Sequence, residues 1–305
     1  MTKSKGRPLP RWVRWSPSST ASGRPDRAAL AIKRPLVVQA FFLAGDAGRR
    51  FCLYHPAEGA TERGAVIYLH PFAEEMNKSR RMAALQARAL AEAGYAVLQI
   101  DLAGCGDSAG EFVDADWPAW LADVELAYRW LRERSSAPLT LWGMRLGCLL
   151  AVDAAARLPE PANFLFWQPV ISGKQHWQQF LRLKLAGELL AGAGTEVVGE
   201  SASRSLADEP VEVAGYTVNP RLTQALMQAE LQPPPRPARL SWLEIGRRQE
   251  AGVLPVSQQT IDQWRAAGFV VDAAVVSGPA FWQTAEIEEV PALLEATLQA
   301  LAGHA

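Results

Sequence analysis

Short apolar runs alternate along most of this chain with longer segments in which apolar side chains recur every three to four residues. The runs read as strands and the longer segments as amphipathic helices. Leu36–Leu43 and Arg50–His55 flank Gly45-Asp46-Ala47-Gly48 and predict an antiparallel hairpin. Ala65–His70 is a buried-strand run stopped by Pro71, Ser79–Ala93 has helical composition with Gly94 as its stop, and Tyr95–Asp101 is the next strand. Asp116 is placed to cap a helix over Trp117–Arg134. Pro118 sits in its first turn, and Leu121, Val124, Ala127, Tyr128 and Leu131 fall at helical spacing. Leu139–Trp142 is a strand run that meets Gly143-Met144-Arg145-Leu146-Gly147 and then an Ala/Leu-rich helix, and Asn163–Trp167 is a further strand.

The alternation breaks between residues 174 and 238. Gln175–Leu190 reads as helix there, and Gly192-Ala193-Gly194 and Pro233-Pro234-Pro235 punctuate the rest. It then resumes with a strand at Leu240–Glu244, a helix at Val256–Ala267 closed by Gly268, a strand at Phe269–Val276 and a final helix at Glu286–Leu301. Strands alternating with helices of this length imply right-handed crossovers and a mainly parallel sheet covered on both faces. The expected organisation is an α/β core of residues 35–173 and 239–305 with an inserted helical cap at 174–238.

Charge changes that picture at one end. The chain of 305 residues is nearly neutral, with 31 Lys/Arg against 32 Asp/Glu. Residues 1–34, however, hold nine Lys/Arg and a single acid, Asp26, in a Ser/Pro/Gly-rich stretch without periodicity. That composition predicts a disordered basic extension. Trp12 and Trp15, interleaved with Arg11 and Arg14, give it a second reading as a weak contact for an anionic membrane surface. Cys52, Cys105 and Cys148 are scattered, without metal-ligand spacing, which suits reduced thiols in a cytoplasmic setting. No apolar run reaches membrane-spanning length and no signal-peptide hydrophobic region opens the chain. No cofactor and no nucleic-acid partner is called for.

In open parallel sheets the site lies beyond the carboxyl ends of the strands, so the strand-end loops carry the chemistry. The first is His70-Pro71-Phe72-Ala73-Glu74-Glu75-Met76-Asn77-Lys78, dense in charge for a loop entering a helix. His70 and the Glu74/Glu75 pair are candidates for activating a water. In the alternative, Asn77 caps the helix and the acids favour its positive end. In the second loop, Asp101-Leu102-Ala103-Gly104-Cys105-Gly106-Asp107-Ser108-Ala109-Gly110, the glycines lack the dinucleotide order, and Asp101 and Ser108 read as architecture. The third is Gly143–Gly147, laid out as a nucleophile elbow with Arg145 where a serine is usual. Glu244 and Glu250 are candidates for a triad acid. After Val276, where the histidine belongs, the chain reads Ser277-Gly278-Pro279-Ala280-Phe281-Trp282, and the later His304 lies beyond the final helix. Cys105 is a weak replacement nucleophile, and Cys148 reads as core. His176, at the start of the cap, either reaches over the site or lies on the cap surface.

From about Leu36 onward the chain resembles the α/β-hydrolase superfamily in element order. More narrowly, His70–Lys78, Phe166-Trp167-Gln168-Pro169-Val170, Gln179-Phe180-Leu181-Arg182-Leu183 and Gly278–Trp282 resemble the exosortase A system-associated hydrolase 2 family. That resemblance implies an association with exosortase/PEP-CTERM sorting and exopolysaccharide machinery, with no defined substrate. Met144, Gln168 and Trp282 join Arg145 as binding candidates. An arginine at a helix N-terminus suits an anionic ligand unless it pairs internally with Glu74 or Glu75. Two functions follow as expectations. One is hydrolysis of a small, anionic acyl or saccharide substrate without a Ser-His-Asp triad; the other is a non-catalytic ligand-binding or scaffolding role on the same fold.

Overall fold

A computed structural model describes residues 38–190, 209–246 and 252–303. The basic extension 1–34, Gly192-Ala193-Gly194, Glu250 and His304 lie outside the described residues. The hairpin forms as β1 (Gln39–Gly45) and β2 (Gly48–His55), and β3 (Gly64–Leu69) follows. Then come α1 (Glu74–Glu92), β4 (Tyr95–Ile100), α2 (Trp117–Arg132), β5 (Leu139–Met144), α3 (Gly147–Arg157) and β6 (Asn163–Trp167). The alternation is interrupted by α4 (Gly173–Leu190), a small hairpin of β7 (Val211–Val213) and β8 (Tyr216–Val218), and α5 (Pro220–Gln228). It resumes with β9 (Arg239–Gly246), α6 (Pro255–Ala266), β10 (Val270–Ser277) and α7 (Pro291–Ala302).

Eight strands make one sheet in the order β1-β2-β4-β3-β5-β6-β9-β10. The pairs β1–β2 and β2–β4 are antiparallel, and every other neighbouring pair is parallel. All six residues of β3 and of β5 are buried, as expected of central strands covered on both faces. Their side chains divide by the two-residue period between the layers. Leu139 and Leu141 join one core cluster, while Trp142 and Met144 join the other, with Trp167 and Phe281. This is the α/β-hydrolase architecture expected from the sequence.

Several boundaries differ from the pattern-based expectation. The helix expected from Ser79 begins at Glu74, so Glu74 and Glu75 form its first turn and Asn77 lies inside it rather than capping it. Ala73 occupies the cap position with φ 49° and offers no side-chain acceptor. Two carboxylates at the positive helix end stand in for a polar cap, and Asn77 instead donates to the Tyr216 hydroxyl at 3.2 Å. Asp116 does cap α2, accepting from Ala119 N–H at 2.7 Å, although that helix ends at Arg132, two residues early. The final helix begins at Pro291 rather than Glu286, because proline suits a first helical turn and fixes its start.

Candidate functional site

β5 runs straight into the turn that the glycine spacing predicts. A β-carbon added at Gly143 would stand 2.6 Å from Cys148 Cα, and one at Gly147 would collide with the Leu69 carbonyl oxygen. No other residue fits at either place without moving backbone. Arg145 takes the left-handed conformation, φ 54°, which costs an L-residue free energy and is typical of a position held for presentation. Its N–H donates to the Trp167 carbonyl at 3.0 Å and its own carbonyl accepts from Cys148 N–H at 3.1 Å, so the turn is fixed by both neighbouring elements.

The presented side chain does not end in open space. Arg145 Nε lies 3.2 and 3.3 Å from the two carboxylate oxygens of Glu75, and Nη2 lies 3.2 Å from Oε1. The guanidinium carbon is 5.4 Å from the centroid of the Trp282 ring. The two side chains keep only 11% and 7% of their accessible surface, so each is the other's charge compensation. Burial pushes the Glu75 carboxyl up to about 7, and the guanidinium holds it from rising further. Of the two arrangements expected at the elbow, an anionic ligand or an internal pair with Glu74 or Glu75, Arg145 makes the internal pair, with Glu75.

Beside this pair is a cavity of about 440 Å³ whose walls include Phe72, Glu74, Lys78, His176, Phe180 and Trp282. Three of these residues carry buried polar atoms without a hydrogen-bond partner in the protein: Glu74 Oε2, both ring nitrogens of His176, and Trp282 Nε1. Leaving such atoms unmet costs of order 1–3 kcal/mol each, and each exposes less than 1 Å², so they lie behind the cavity surface rather than on it. Burial, and next the charge of Arg145, push His176 down to about 3, so the imidazole is neutral at physiological pH. The Glu74 carboxyl is raised, chiefly by burial.

Other sequence candidates are engaged elsewhere. His70 is buried, with Nδ1 2.8 Å from the Pro71 carbonyl oxygen and Nε2 3.3 Å from Leu102 N. Nδ1 must therefore donate and Nε2 accept, which leaves no lone pair for activating water, and His70 is absent from the cavity wall. Its role is to tie two strand-end loops together. Met144 is fully buried, with its sulfur 4.0 Å from the Tyr68 hydroxyl. Gln168 has φ 43°, and its carboxamide oxygen accepts from Ile245 N–H at 2.6 Å. Neither residue reaches the cavity. Glu74, Glu75, Arg145 and Trp282 do meet there. Glu244 accepts from Trp242 Nε1 at 3.0 Å and Leu254 N–H at 3.3 Å.

Asp101 accepts from Arg80 and from Asp107 N–H, both at 3.0 Å, and the Ser108 hydroxyl bridges the Asp101 carbonyl and Phe51 N–H. Both are architectural. All three cysteines are free and buried, and burial raises the Cys105 and Cys148 thiols, which suppresses the thiolate a nucleophile requires. His176 lies at the cavity rather than on the cap surface. Its spacing of four from Phe180 puts both on one face of α4, and that spacing is the sequence signal for its position. Among the described residues no cluster of three or more His, Cys, Asp or Glu side chains is arranged to hold a metal ion.

Comparison with known proteins places this geometry. Human protein ABHD12B is 32% identical over 116 residues, 38% of this chain and 31% of that protein, so the match spans about a third of the relative's length. Among solved structures, Est1E from Butyrivibrio proteoclasticus with ferulic acid bound superposes with a TM-score of 0.62 at 15% identity, covering 87% of this chain and 99% of that one. A thermostable carboxyl esterase from Bacillus coagulans in complex with glycerol gives 0.59 at 15% identity, covering 88% and 98%. At such identities these structures attest the fold alone. The family described as serine aminopeptidase, S33 matches residues 60–231, more than half of the chain and including the elbow. The chain belongs to that family of α/β hydrolases, and presents Arg145 at the elbow where the family's name leads one to look for a serine.

Proposed function

We propose that this protein binds a small acyl or saccharide ligand in the cavity beside Arg145 and forms no covalent serine intermediate with it. The observation that carries this reading is the cavity of about 440 Å³ at the elbow itself, walled by charged, aromatic and imidazole side chains (Glu74, Lys78, His176, Phe180 and Trp282) together with the Arg145–Glu75 pair. A covalent route needs an atom that attacks and a base that takes its proton. The guanidinium offers no nucleophilic lone pair, and no histidine stands in Ser277–Trp282 after β10. Arg145 instead anchors Glu75 and shapes the floor, so an unpaired cation no longer argues for an anionic ligand.

Glu74 supports a second reading, hydrolysis by a water it deprotonates. Its side chain lines the cavity and burial raises its carboxyl, as a general base there would require. The narrower family resemblance puts either activity within exosortase-linked export and exopolysaccharide metabolism. On this reading the protein works in the cytoplasm, where buried reduced cysteines persist, and its basic residues 1–34 touch an anionic membrane surface. Among the described residues no helix is long and apolar enough to cross a membrane.

A thermal-shift screen of acyl esters, carboxylates and glycosides, with product analysis of each hit, tests the proposal. Hits are expected to stabilise the wild-type chain and to lose their shift in His176→Ala. Shifts that survive unchanged in that variant would place the ligand elsewhere and end the proposal. Turnover of a hit that Glu74→Gln abolishes selects the hydrolytic reading.

A further inference from the structure

The sheet ends on β10, and that edge carries none of the devices that keep an edge strand unpaired. Such devices are short length, lysine or proline on the strand, and bulges. β10 runs for eight residues, Val270-Val271-Asp272-Ala273-Ala274-Val275-Val276-Ser277. It keeps unbroken register with β9 throughout, and it contains no lysine, proline or glycine. Its single charge, Asp272, has Arg239 of β9 as a neighbour at 3.7 Å. Asp272, Ala273 and Ala274 are exposed in succession, and Val270 keeps 52% of its surface. Pairing with β9 occupies the backbone groups on one side of the strand only, so the N–H and C=O groups of the other side face out along the edge. What such a row of alternating donors and acceptors pairs with is another strand.

The residues of β10 suit a second copy of the same strand. Opposed residues of an antiparallel pair share a face of the sheet, so a two-fold axis between two β10 strands passes through a residue position. An axis at Asp272 would set two carboxylates against each other, which is destabilising. An axis at Ala274 would set Asp272 against Val276 and Val271 against Ser277. An axis at Ala273 sets Val270 against Val276, Val271 against Val275 and Asp272 against Ala274, with small side chains meeting at the axis itself. Only this last register gives valine pairs on both faces and opposes no like charges. The helical layer agrees with it. α7 lies over β9 and β10 alike, so continuing the sheet through the axis at about 4.8 Å per strand sets the two copies of α7 about 10 Å apart, the spacing of packed helices.

We propose that β10 pairs with β10 of a second copy of this chain, antiparallel about an axis at Ala273, and so joins the two eight-stranded sheets into one. This pairing is independent of what the cavity holds.

Light scattering coupled to size exclusion reads the mass of the full chain, and cysteine cross-linking reads the register. The wild-type protein is expected at twice the mass of one chain. Oxidation of Ala273→Cys is expected to link the two copies by a disulfide, because opposed Cα atoms of an antiparallel pair stand about 4.5–5.5 Å apart, within disulfide range. Ala40→Cys, exposed on the strand at the other end of the sheet, is expected to stay unlinked. Ala273→Lys places two ammonium groups at the axis and should weaken the dimer about a hundredfold, with an unchanged far-UV spectrum because the position is exposed. A single-chain mass at the highest soluble concentration, or a dimer that Ala273→Lys leaves intact, overturns the pairing. Linking through Ala40→Cys in place of Ala273→Cys overturns it too, and moves the interface to β1.

Discussion

Arg145 and Glu75 occupy a space in which neither charge would be tolerated alone. Taking one ion of such a pair away leaves the other buried and uncompensated, at a cost of about 3–5 kcal/mol, whereas replacing both by apolar groups of similar size is often neutral or stabilising. Arg145→Ala and Glu75→Ala should therefore each lower the unfolding free energy by about 3–5 kcal/mol, and Arg145→Met/Glu75→Leu should recover most of the loss. Urea denaturation of the three variants checks this, and additive single losses would show that the pair is not a unit.

Two neighbours also give the site opposite pH responses. His176, held down to about 3, stays neutral in the folded chain while the unfolded chain takes up its proton near the ordinary histidine value of 6.5. Its contribution is present above 6.5 and is lost as pH falls toward 3. Glu75, raised to about 7, binds a proton more readily folded than unfolded, so its contribution is present below 4.5 and is lost as pH rises through 7. His176→Gln should flatten the acid side of the stability–pH curve, and Glu75→Gln the side between 4.5 and 7. Denaturation across pH checks both slopes. The residue identities at the elbow were legible in the sequence, since Gly143, Arg145 and Gly147 fall where the turn demands them. The pairing with Glu75 rather than Glu74 was not, because adjacent helical residues point about 100° apart and only the start of α1 decides which one reaches Arg145.

At the level of elements, the elbow depends on backbone passing backbone without side chains between. Gly147→Ala would drive a β-carbon into the Leu69 carbonyl, and overpacking in a close-packed interior costs about 1–3 kcal/mol or more. The expected result is a clearly lowered melting temperature, against a near-neutral effect for alanine at Gly303, whose φ is −74° and whose added β-carbon comes no nearer than 3.5 Å to a neighbour. Strand runs such as Ala65–Leu69 and caps such as Asp116 were readable because their signals are local. The start of α1 was misplaced because Ala73 caps it by backbone geometry alone, which leaves no side-chain signature. His70 shows the same limit. Its place at a strand end was evident, but the two contacts that occupy its nitrogens come from a neighbouring peptide and from the loop after β4.

At the level of the whole molecule, the alternation of runs and helical segments was enough to give the α/β-hydrolase architecture, because a parallel sheet imposes that rhythm on any chain that forms it. The cavity was beyond such reading. Its walls come from α1 and the loop before it, the elbow, α4, the β7–β8 turn and the segment after β10, stretches brought together only by the completed fold. What marks this molecule on its shared scaffold is an elbow that presents a paired cation beside a cavity. The central claim is that no covalent serine chemistry takes place there. Intact-protein mass spectrometry after exposure to a fluorophosphonate tests it most directly. The expected spectrum shows the unmodified mass alone, and a stoichiometric adduct on Ser108 or any other serine would contradict the account.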